Sequence, residues 1–146
     1  MGADKKKSKK QSVTKAELLL ETTIFFIDRC LGRQLGESLR AVGLNIELHD
    51  DHFPDTTEDA AWLPVVGQRG WAVLTKDKAI RRNQVERESL IQAGVRMFAI
   101  SGNLTSAEMA ELVSTNKLKI ARFLKNHEAP FVARISKSEV VLLFNY

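Results

Sequence analysis

The sequence predicts an α/β fold, with helices on both faces of a mainly parallel sheet and a C-terminal β-hairpin added at one edge. Three observations carry that prediction. Short apolar runs rich in β-branched and aromatic residues alternate with stretches whose apolar residues recur at helical spacing. The connections between successive runs are long enough to cross over, so the strands they join run parallel. The chain of 146 residues is long enough for one domain with its own core.

Residues 1 to about 15 read as a basic, disordered tail, and residues 21–146 as the folded domain. Lys5, Lys6, Lys7, Lys9 and Lys10 sit in that tail and supply most of the net charge of +4. Such a run serves solubility or adds phosphate affinity. The run TIFFI at 23–27 reads as the first buried strand. Leu31, Leu35, Leu39 and Val42 then repeat at helical spacing, and Gly43 stands where a helix-ending glycine belongs. Residues 46–48 read as a second strand, followed by the polar loop HDDHFPDTT.

A helix over about 58–66 follows, with Thr57 as its N-cap and Pro64 expected to kink or split it. WAVLT at 71–75 is the third strand, 84–93 a helix ended by Gly94, and RMFAI at 96–100 the fourth strand. Thr105 and Glu108 form a capping box, with Leu104 and Met109 as a hydrophobic staple. They open one long helix to about Asn126, whose stripe Met109, Leu112, Val113, Ile120 and Phe123 reads as core. After Pro130, residues 131–135 and 139–144 read as the closing hairpin.

Composition excludes several classes. A single cysteine, Cys30, rules out a disulfide framework and a Cys-based zinc site, and reads as a buried, inert thiol. No run approaches 18 uncharged apolar residues, which excludes a membrane-spanning helix. The basic start MGADKKKSKK is not followed by the apolar segment of a secretory signal, so the expected location is cytoplasmic. Trp62 and Trp71 read as core anchors rather than base-stacking platforms, and His49 and His52, which flank the acidic loop and could ligate metal, read as surface loop histidines.

In an open parallel sheet the C-terminal strand ends share one edge, where ligands bind. Asp28 follows the first strand, Asp50 and Asp51 the second, Asp59 opens a helix leaving that edge, and Asp77 follows the third strand. Each has a bland alternative: Asp28 as a helix cap, Asp59 as a dipole partner, Asp77 as a turn residue. Together they suit a hard divalent cation, Mg²⁺ or Mn²⁺, which prefers oxygen ligands and relieves carboxylate repulsion. Arg29, Lys76, Lys78, Arg81 and Arg82 lie among the acids as candidate contacts to a phosphate backbone.

The motifs also resemble a known family. FFIDRCLGRQLGESLRAVG resembles the opening of PIN-like nuclease domains, where an aspartate ends strand one and an L-G-x-x-L-x-x-x-L-R-x-x-G helix follows. EDAAWLPVVGQRGWAVLTKDKAI is similar to their later core, in which an aspartate opens a helix and a Thr-Lys/Arg-Asp triplet ends the next strand. SGNLTSAEMAELV and APFVARI are similar to the VapC-like ribonuclease toxins of toxin–antitoxin pairs, so the resemblance spans about residues 23–135.

The resemblance implies a PIN-like three-layer sandwich and an Mg²⁺- or Mn²⁺-dependent endoribonuclease. It also implies inhibition by a cognate antitoxin, and PIN-like proteins are often homodimers. By position it implies Asp28, Asp59 and Asp77 as the catalytic and metal-binding acids, with RNA as substrate. The family's additional helical glutamate has no obvious equivalent here; Asp50, Asp51 and Glu37 stay open as substitutes. A PIN-like module that binds RNA or protein without cutting is the alternative. A phosphoacceptor domain is disfavoured, since Arg29 follows Asp28 where that site wants a second acid.

Overall fold

A computed structural model describes residues 14–76 and 84–145. The lysine-rich run and the segment 77–83 lie outside the described residues. Six strands form one sheet in the order β2-β1-β3-β4-β5-β6. They are β1 (Ile24–Ile27), β2 (Asn45–Leu48), β3 (Ala72–Lys76), β4 (Arg96–Ile100), β5 (Phe131–Ile135) and β6 (Val140–Asn145). The first five run parallel, and β6 pairs antiparallel with β5. The predicted α/β architecture and C-terminal hairpin are therefore present.

The helices are α1 (Lys15–Thr22), α2 (Arg33–Ala41), α3 (His49–His52), α4 (Asp59–Gln68), α5 (Gln84–Ala93), α6 (Ser106–Thr115) and α7 (Lys117–Asn126). Alternation along each strand divides the core into two layers. On one face Phe25, Ile27, Leu74, Phe98 and Ile135 pack against Leu35, Leu39, Val113 and Ile120 from α2, α6 and α7. On the other, Phe26, Val73, Met97 and Val132 pack against Trp62, Leu63, Val66 and Leu90 from α4 and α5. Gly43 adopts φ 96° after α2, and Gly94 φ 69° after α5, conformations that favour glycine and end both helices as expected.

Three expectations are corrected, and residues between the expected tail and domain gain a helix. Residues 15–22 form a capped helix, with Thr14 accepting from the Glu17 N–H, and α1 packs against α7. The acidic loop begins with the helical turn α3. Pro64 sits inside an unbroken α4, because the lost hydrogen bond falls on Ala60, in the exposed first turn. The long helix predicted to Asn126 divides at Asn116, 1% exposed, whose side chain donates to the carbonyls of Leu112 and Ser136.

Candidate active site

The sheet order puts a topological switch between β1 and β3: the chain leaves β1 toward β2 on one side, then returns to β3 on the other. A crevice opens at the C-terminal strand ends at such a point. Asp28 sits there. Its N–H donates to the Leu74 carbonyl (3.0 Å), extending the ladder to β3 by one residue. Its side chain makes no capping bond to the 3-10 turn Arg29–Leu31 that follows. Instead Oδ2 accepts from the Thr75 hydroxyl at 2.7 Å. Thr75 is 1% exposed, so this hydrogen bond aims a half-buried carboxylate from inside the sheet.

Asp59 is the first residue of α4. Its Oδ1 accepts from Trp62 Nε1 at 3.1 Å, one helical turn on. Desolvation of this carboxyl pushes its pKa above the ordinary aspartate value, and the like charge of Asp28 adds to the rise. The Trp62 hydrogen bond, His49 and Arg29 partly offset it. Asp28 and Asp59 are therefore electrostatic neighbours, an arrangement a cation relieves.

Asp77, Lys78 and Arg81 lie outside the described residues, as does Arg82. Lys76, the exposed last residue of β3, carries the chain toward Asp77 from beside Thr75. Arg29 donates its guanidinium to the Asp55 carbonyl. Among the described residues no three His, Cys, Asp or Glu side chains form a group able to hold a metal ion.

The three open acids separate. Asp51 is bound by Arg33 at 2.7 Å, which holds its pKa below the ordinary value. Glu37 is exposed on α2. Asp50 lines a narrow crevice together with Asp28 and His49.

Two side chains differ from expectation. His49 is 3% exposed, not a surface histidine, and its ring packs among Phe26, Phe53 and Trp62. Cys30 is exposed rather than buried. Desolvation of its sulfur and nearby Asp28 still push the thiol pKa up, so it is a poor nucleophile. Sequence reasoning gave Thr75 no site role, and it set aside metal ligation by His49 and base stacking by Trp62. The spacing of Trp62 three residues after Asp59 was the available signal, since such side chains share a helix face.

A family model described as a PIN like domain matches residues 23–102. A protein of Mycobacterium tuberculosis named "Putative ribonuclease VapC45" is 28% identical over 130 residues, covering 85% of this chain and 94% of its own. No solved structure matches.

Proposed function

The chain belongs to the PIN-like domain family, and on that premise we propose that it is a divalent-metal-dependent endoribonuclease acting as the toxin of a type II toxin–antitoxin pair. The observation that carries the reading is the repulsion between Asp28 and Asp59 beside the β1/β3 switch point. Both donors are carboxylate oxygens, which fit Mg²⁺ or Mn²⁺ and not a soft metal. The ribonuclease name of the mycobacterial relative supports RNA as the substrate class, and its VapC name supports a cognate antitoxin as partner.

Asp28 and Asp59, joined by Asp77, would hold the ion. When bound, it would lower the pKa of an attacking water and neutralise charge on the scissile phosphate. Thr75 orients Asp28 and Trp62 orients Asp59, so neither carboxylate has to be ordered when substrate arrives. Arg29, Lys76, Lys78 and Arg81 are the cations assigned to the flanking phosphates, contacts that set register rather than sequence preference.

Cleavage of single-stranded RNA with Mg²⁺ or Mn²⁺, and with the metal chelated, tests the proposal. Metal-dependent cleavage that Asp28→Asn, Asp59→Asn and Asp77→Asn each abolish supports it. Cleavage unchanged in those variants refutes the assigned roles. RNA retention with no cleavage in any metal identifies the non-cutting alternative.

A further inference from the structure

We propose that His49 is a positioning residue of this site, fixing the Asp50 carboxylate beside Asp28 and buttressing the tryptophan that holds Asp59. The inference rests on the nuclease reading above. His49 Nδ1 lies 3.3 Å from Asp50 Oδ1. A carboxylate only accepts, so Nδ1 carries the proton and donates. The imidazole side chain is 2% exposed, whereas that of Asp50 is 57% exposed. A buried ring thus spends a hydrogen bond on an exposed acid at the rim of the crevice that Asp28 also lines.

The same ring meets Trp62 edge-on, with centroids 5.9 Å apart and planes at 87°. Phe26 lies against Trp62 at 4.9 Å. Trp62 therefore cannot rotate without displacing His49 or Phe26, and its Nε1 is the donor to Asp59. A packing role alone would be served by leucine or phenylalanine, which bring no polar nitrogen into an aromatic cluster. The imidazole is explained by what it holds.

His49→Phe fills the aromatic pocket without a donor, and His49→Asn restores a side-chain N–H near the Nδ1 position. Asp50→Asn, at an exposed position, should leave the fold alone. For His49→Phe we expect kcat for RNA cleavage, and Mn²⁺ affinity measured without RNA, to fall about 10-fold or more with KM little changed. His49→Asn should recover a substantial part of kcat despite melting lower, and Asp50→Asn should show a smaller loss. Wild-type kcat and Mn²⁺ affinity in His49→Phe, or losses that simply track melting temperature across the variants, would overturn the inference. If the wild-type chain cuts no RNA, or Asp28→Asn cuts normally, the nuclease reading fails instead. The Mn²⁺ titration of the His49 variants still decides the positioning role in that case.

Discussion

Thr75 donates its hydroxyl to Asp28 at 2.7 Å, tying the ends of two neighbouring parallel strands together at the candidate site. A buried donor aimed at a charged acceptor contributes about 1.5–3 kcal/mol. Thr75→Val keeps the shape and β-propensity of β3 and removes that donor. We expect its RNA cleavage to fall roughly 10-fold or more while Thr75→Ser stays near wild type, both read from single-turnover rates. Equal rates in Thr75→Val and wild type would mean the hydroxyl does not orient Asp28 for chemistry.

Asp59 gives a pH signature. Desolvation and Asp28 raise its pKa in the folded chain. The folded state therefore binds that proton more tightly than the unfolded state does. The stabilisation is fully present below the ordinary aspartate pKa and is lost as pH rises through the raised value. In metal-free buffer, Asp59→Asn should melt higher than wild type at neutral pH, with the difference closing at acidic pH. Thermal melts across that range check it, and a variant that melts lower at neutral pH contradicts the desolvated, repelled carboxylate.

Trp62→Phe removes the hydrogen bond that lowers the Asp59 pKa. The carboxyl should then titrate still higher than in wild type, as followed by NMR of the side-chain carbon. A titration that moves down, or not at all, would show that the indole N–H does not hold this carboxylate.

Asp51 makes its ion pair with Arg33 at the exposed rim. Such pairs contribute little in water and salt. Asp51→Asn should leave both the melting temperature and the cleavage rate unchanged. A large loss of cleavage in Asp51→Asn would assign the open acid to Asp51.

Gly67 of α4 packs directly against the last residue of α5, Ala93. A Cβ placed there would lie 1.9 Å from the Ala93 carbonyl oxygen, a backbone atom that cannot swing aside. Gly67→Ala should cost about 1–3 kcal/mol by overpacking, measured by denaturant unfolding, with Asp59 displaced only through α4.

The legible parts of this chain are those where one residue's neighbours in sequence are also its neighbours in space. The β4 and β5 bounds match the sequence reading because each is a short, mostly apolar run, RMFAI and FVARI, with turn residues close on either side. The Thr105–Glu108 capping box closes within one helical turn, and both of its hydrogen bonds are present. Asn116 ends α6 through a bond to the Ser136 carbonyl, a partner 20 residues away that no local pattern announces. His49 was misread because HDDH looks solvated, whereas its ring is drawn in by Phe26 and Trp62 from two other elements. Within α1 only Ala16 and Leu20 are buried and Leu18 is 52% exposed, so the helix shows a weak apolar face and is held by α7. The candidate site was legible as carboxylates at one sheet edge, but the groups that aim them were not, since Thr75 lies 47 residues from Asp28.

The central claim is that Asp28 and Asp59 jointly hold a divalent ion. Calorimetric titration of Mn²⁺ into the wild-type chain, Asp28→Asn and Asp59→Asn tests it most directly. The account predicts saturable binding by the wild-type chain and a large loss of affinity in each variant. Equal binding by all three proteins, or no uptake by the wild-type chain at millimolar Mn²⁺, roughly the weak end of protein sites for divalent cations, would contradict it.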